Sequence, residues 1–167
     1  MSDALVGSAG FALPSDGGSA ALVQVQTDPD GRQIVHVSLE ADPRCEAEGA
    51  DFRQHFDFRL SGPLAKASRV VITNAGDAMC GAASFDGYEV CASSDEIYWQ
   101  RIQSTHYDAS EAKLVIDLPA ALTSSGDGVH LAYFVPYPLT RHNELLQCAA
   151  DSPLCTLVPL MQTRYML

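Results

Sequence analysis

Along most of this chain apolar and polar residues alternate with a period of two, the signature of strands with one face buried and one wet. Val35, Val37 and Leu39 alternate with His36, Ser38 and Glu40, and Ala21, Val23 and Val25 alternate with Gln24 and Gln26. Between these runs lies Asp28-Pro29-Asp30-Gly31, in which proline presets φ and glycine is free to take an unusual one. The pattern predicts a hairpin. Phe56, Phe58 and Leu60 then oppose Asp57 and Arg59 until Gly62-Pro63 ends the run. Further short runs start at Val70, Tyr88, Trp99, Leu114 and Val129, separated by Asn-, Ser-, Asp- and Gly-rich punctuation. Short strands at this spacing predict a mainly β chain, an antiparallel β-sandwich. Phe58, Val71, Val90, Trp99, Ile116 and Leu131 are expected in one core between the two sheets.

The pattern changes only after Pro138. Thr140 can cap a helix, Leu145, Leu146 and Ala149 form an apolar stripe, and Asp151-Ser152-Pro153 stops it. The run from Leu154 to Leu160 reads as a further, partial strand, with Pro159 placing it at an edge or end. Three segments follow: a Gly-, Ser- and Ala-rich leader over 1–20, a sandwich over 21–137, and a helix with a partial strand over 138–167. The charged span 41–49 reads as a loop. The apolar, low-charge stretch after Leu154 also predicts self-association of a chain whose last strand lacks a partner.

Composition narrows the function classes. With 167 residues, 47% of them hydrophobic, the chain can bury a sizeable core. A formal net charge of −11 argues against nucleic acid, whose phosphates need a surplus of Lys and Arg. No apolar run approaches the roughly 18 residues of a membrane span, and Met1-Ser2-Asp3-Ala4 lacks the basic start of a secretory signal, so the expected address is cytoplasmic. Cys45, Cys80, Cys91, Cys148 and Cys155 are odd in number and include no Cys-x-x-Cys, which suits reduced thiols.

Candidate chemistry is sparse. His36 and Glu40 share a strand face but stand about 13 Å apart, too far to share an ion. His142 and Glu144 on a helix point about 200° apart, and Cys148 and Cys155 are too widely spaced to complete a deaminase zinc site. Ser104, Thr105, His106 and Asp108 invite comparison with a hydrolase triad, yet no Gly-x-Ser-x-Gly elbow places a nucleophile. A turn organised by the Asp108 carboxylate fits better. Asn74-Ala75-Gly76 reads as a turn whose Asn and Gly tolerate positive φ, not as a phosphate cradle. Tyr98 and Tyr137 stand apart from the core aromatics as interface candidates.

Taken in order, Phe56-Asp57-Phe58-Arg59-Leu60-Ser61-Gly62, Val71-Ile72-Thr73-Asn74-Ala75-Gly76, Gly87-Tyr88-Glu89-Val90-Cys91-Ala92-Ser93, Trp99-Gln100-Arg101-Ile102, Tyr107-Asp108 and Tyr133-Phe134-Val135-Pro136-Tyr137 carry a resemblance. The run resembles the N-terminal β-sandwich of cytosolic carboxypeptidase-type M14 zinc metallocarboxypeptidases, with His55 departing from the family's Trp. The resemblance spans roughly residues 34–163. It implies a non-catalytic accessory domain that supports a peptidase domain, in cis or lost, or shapes substrate access. Catalytic, cofactor-binding and metal residues are then all expected outside this chain, with zinc only in the missing peptidase domain. Tyr133, Pro136, Tyr137, Arg141 and His142 are expected to line the domain interface. A free-standing protein-binding module is the alternative, and a hydrolase using His106 or His142 a third.

Overall fold

A computed structural model describes residues 10–14, 18–41, 52–124 and 127–158. Among the described residues ten strands and two α-helices follow one another: β1 Phe11–Ala12, β2 Ala20–Thr27, β3 Gln33–Leu39, β4 Asp57–Leu60, β5 Arg69–Ile72, β6 Val90–Ser93, β7 Gln100–Ile102, β8 Thr105–Asp108, β9 Lys113–Asp117, the single-turn helix α1 Ala120–Thr123, β10 Val129–Ala132 and α2 Leu139–Asp151. The strands form two five-stranded sheets, ordered β1-β4-β10-β6-β7 and β2-β3-β5-β9-β8.

Alternation decides the core. Phe58, Leu60, Val90, Ala92, Ile102, Val129 and Leu131 from the first sheet join Val35, Val37, Leu39, Val70, Ile72, Leu114 and Ile116 from the second in one buried cluster. The chain divides into two compact units, Met1–Pro136 and Tyr137–Leu167.

The hairpin forms as expected. Gly31 sits at φ 78°, and the Asp28 carboxylate accepts the N–H groups of Asp30 and Arg32 at 3.0 and 2.7 Å. At the other end of β3, the Asn74 side chain accepts from the Leu39 N–H at 2.7 Å and donates to its carbonyl at 3.0 Å. Asn74 thus extends the ladder past the last strand residue.

Several expectations need correction. The second sheet is mixed, because β3 and β5 run parallel: β4 crosses to the first sheet between them, so β5 re-enters in the direction of β3. The leader expected over 1–20 contains structure. Phe11–Ala12 pair with β4, the Phe11 ring stacks on Phe58 at 5.3 Å, and Ala20 opens β2. Of the predicted core, Val71 lies on the outward face of β5 between His36 and Val115, and Trp99 is half-buried outside the cluster. Helix α2 begins at Leu139, with Pro138 at its cap and no side-chain capping bond, so Thr140 lies inside the first turn. Residues 154–158 form no strand, since no neighbouring ladder among the described residues takes up their backbone groups. The rest of that run, like Cys45 and most of the 41–49 loop, lies outside the described residues. Asn74-Ala75-Gly76 is a turn, but neither Asn74 nor Gly76 takes a positive φ. Gly76 is required instead by space, because a Cβ there would stand 2.7 Å from that of Ala112.

Candidate interdomain surface

β10 runs between β4 and β6, and its ladder closes where the Tyr133 N–H donates to the Phe56 carbonyl at 2.9 Å. That last rung fixes the direction in which the chain leaves the sheet. The Tyr133 ring stacks on Tyr88 with centroids 4.7 Å apart and meets the edges of Phe56 at 5.9 Å and Phe85 at 6.1 Å. The Tyr88 hydroxyl donates to the Tyr133 carbonyl. Burial of this ring pushes the Tyr88 phenol well above its usual range, so it remains a donor at any physiological pH.

Outside this aromatic core the surface turns mixed. The Arg101 guanidinium lies 5.6 Å from the Tyr88 ring centre and donates to the Glu89 carbonyl at 2.5 Å. Phe134 packs edge-on against Tyr133 at 4.5 Å while remaining 56% exposed, and Val135 is 48% exposed. Together Gly87, Tyr88, Glu89, Arg101, Tyr133 and Phe134 line a shallow hollow of about 380 Å³. Exposed aromatic and aliphatic area beside a stacked arginine is the composition of a protein-binding patch.

The expected interface residues fall into two groups. Tyr133 and Pro136 end the first unit. In the second unit, Arg141 sits 5.8 Å from the Tyr137 ring centre and His142 meets that ring edge-on at 5.9 Å. Tyr137 is 55% exposed, and α2 has no buried residue. Sequence reading assigned Tyr88 to the core and singled out neither Arg101 nor Phe85 here. The signal is present only as a Tyr just before β6 and an Arg on β7, at the base of one hairpin.

The remaining candidates stay apart. His36 points outward from β3 opposite Val71, with its Nε2 buried and without a hydrogen-bond partner among the described residues. Burial, helped by Lys113, lowers its pKa. Glu40 instead accepts from the Ser38 hydroxyl at 2.9 Å. Ser104 donates to the Asp117 carbonyl, and Asp108 accepts from the Ser110 hydroxyl and N–H and from the Glu111 N–H, which pulls its carboxyl below the usual range. Those contacts make a turn, and His106 faces outward opposite Val115 on a strand. His55 is exposed, so Phe56 rather than residue 55 fills the core at that point. Among the described residues no three His, Cys, Asp or Glu side chains are grouped to hold a metal ion, and no helix is long and apolar enough to cross a membrane.

A third feature is the loop after β6. Ser93 Oγ accepts the N–H groups of Asp95 and Glu96, and the Asp95 carboxylate accepts those of Ile97 and Tyr98, which lowers its pKa. Glu96 takes φ 60°, its carbonyl accepts the Trp99 indole N–H at 3.0 Å, and its carboxylate meets His130 Nε2 at 3.1 Å. Burial lowers the pKa of His130 despite Glu96, and Arg59 acts in the same direction as burial.

Comparison with known proteins fits this architecture. Residues 11–134 match the family model described as cytosolic carboxypeptidase N-terminal domain. An uncharacterized protein of Zymomonas mobilis is 30% identical over 97 residues, which are 58% of this chain and 23% of that protein. The metallo-carboxypeptidase of Burkholderia cenocepacia superposes with a TM-score of 0.67 at 25% identity, over 86% of this chain and 33% of its own. A metallo-carboxypeptidase of Pseudomonas aeruginosa, solved in complex with (2-guanidinoethylmercapto)succinic acid, shares the fold with a TM-score of 0.62 at 24% identity, over 84% of this chain and 33% of its own. The chain therefore spans about a third of the solved carboxypeptidases and under a quarter of the curated relative. By the range and order of its matched strands, the chain belongs to the cytosolic carboxypeptidase N-terminal domain family.

Proposed function

We propose that this domain is the non-catalytic, cytoplasmic accessory part of a zinc metallocarboxypeptidase, and that it supports the peptidase domain through the surface where β10 leaves the sheet. The observation that carries the reading is the hollow at that exit, where Tyr88, Arg101, Tyr133 and Phe134 hold exposed aromatic area in a fixed arrangement. Pro136 continues the same exit, and Tyr137, Arg141 and His142 form a second aromatic and cationic cluster just beyond it in the sequence.

Among the described residues no side chains are grouped to fit the zinc of such an enzyme. A catalytic zinc needs three converging protein ligands and an open position for water. The described histidines are dispersed: His36 and His106 lie on the outward face of one sheet, His55 is exposed ahead of β4, His130 is engaged by Glu96 on the other sheet, and His142 packs on Tyr137. Zinc and the activating carboxylate are therefore assigned to the peptidase domain, and no catalytic step is assigned to this chain.

A graft tests the proposal. The Burkholderia cenocepacia metallo-carboxypeptidase is produced without its matching N-terminal region, and again with residues 11–136 of this chain in that place. The graft is expected to restore soluble, chelator-sensitive carboxypeptidase activity, and Tyr133→Ala with Arg101→Ala to reduce it. Equal activity with and without the graft contradicts a supporting role.

A further inference from the structure

We propose that β2 is a self-association edge, through which two copies of this chain pair antiparallel and join their second sheets into one. Among the described residues four strands end the two sheets. Three are short, with two residues in β1, three in β7 and four in β8, and the latter two carry Arg101 and the pair His106 and Asp108. The fourth, β2, has eight residues, Ala-Ala-Leu-Val-Gln-Val-Gln-Thr, with no charge, proline or glycine.

Folded proteins blunt their sheet edges with shortness, charge or proline, because an open row of N–H and C=O groups pairs with any compatible strand. Here three edges are blunted and the longest is not. Val23 and Val25 are 48% and 40% exposed on it, and residues 23–27 are all exposed. One irregularity is present, a bulge between Leu22 and Gln24, which leaves the ladder from Gln24 to Thr27 regular against β3.

A second copy supplies the same long uncharged strand, and charge sets the direction of pairing. At a net charge of −11 two copies repel each other, and β2 is a long neutral element where a contact adds no local like-charge pair to that repulsion. Parallel pairing would set the Asp28 and Asp30 turns of both copies side by side. Antiparallel pairing places each acidic turn beside Gly18, Ser19 and Ala20 of the other copy, which carry no charge. The result is a two-fold, self-complementary contact. It lies in the sheet that does not contain the exit hollow, so this proposal and the peptidase-docking reading can fail separately.

Sedimentation velocity over a concentration series, with hydrogen exchange at each concentration, tests it on the full chain. The parent is expected to shift from monomer to dimer while the amides of residues 22–27 exchange more slowly. Val23→Lys with Val25→Lys, both at exposed positions, should weaken association by about tenfold or more with the melting temperature kept. Gln100→Lys on the β7 edge should leave it intact. A parent that stays monomeric overturns the proposal. So does association that survives the double substitution, or that protects α2 and residues 154–158 instead of β2.

Discussion

Tyr88 and Tyr133, 45 residues apart in sequence, are joined twice: their rings stack at 4.7 Å, and the hydroxyl of the first donates to the main-chain carbonyl of the second. The carbonyl so held belongs to the residue at which β10 stops pairing. One side chain from the turn just before β6 therefore sets how the chain leaves the domain.

Removing that hydroxyl should be felt. Tyr88→Phe keeps the stacked ring but deprives the partly buried Tyr133 carbonyl of its donor, at an expected cost of about 1 to 2 kcal/mol. Chemical denaturation of parent and variant measures it. An unchanged midpoint would mean that water replaces the bond at no cost.

Phe58 and Trp99 should behave very differently. Phe58 is fully buried against Phe11 and Phe56, so Phe58→Ala is expected to cost about 3 to 5 kcal/mol through lost burial and a cavity. Trp99 lies outside the core and covers His130 edge-on at 6.4 Å, so Trp99→Ala should cost clearly less. Thermal unfolding of the two variants side by side checks the order.

The pH dependence follows from three histidines whose pKa burial lowers, His36, His55 and His130, and the two with charged neighbours are the ones to probe. His36 faces Lys113, and His130 faces Arg59 and Glu96, and burial lowers both pKa values below the ordinary 6.5. On acidification the unfolded chain takes up these protons first, so stability falls as pH drops through about 6.5 toward the depressed folded values. Melting temperature should decline over that window. His130→Gln, which can still donate to Glu96, should make the decline shallower; an equal slope would remove His130 from the account.

Much of this architecture is legible in the residues. Val35, Val37 and Leu39 announce a half-buried strand, and Asp28-Pro29-Asp30-Gly31 announces the turn before it, because both signals are local. Trp99 misled for a physical reason: it stands just before Gln100 opens β7, where a single aromatic carries no period and the loop, not the pleat, aims its ring. Phe11–Ala12 is too short to show alternation at all. The contact of Tyr88 with Tyr133 depends on the antiparallel pairing of β6 with β10, a long-range fact that no window of sequence contains. Of the five residues expected at an interface, Tyr137 is suggested by its own sequence surroundings and the others only by the family resemblance, whereas Arg101 and Phe134 enter the hollow through topology.

The isolated chain should hold no zinc. Elemental analysis after purification is expected to give far less than one zinc per chain, and no hydrolysis of a peptide with a C-terminal glutamate should be seen that a chelator abolishes. Stoichiometric zinc with chelator-sensitive hydrolysis would place an active centre within these residues and overturn their accessory assignment.

The seat of the peptidase domain is tested most directly by hydrogen exchange on this domain alone and on the same domain grafted before the Burkholderia cenocepacia peptidase domain. Slower exchange is expected in the graft at residues 87–89 and at Phe134 and Val135, with β2 and β8 unchanged. Identical exchange at those positions in both proteins, or protection confined to other faces, would contradict the exit hollow as the docking surface.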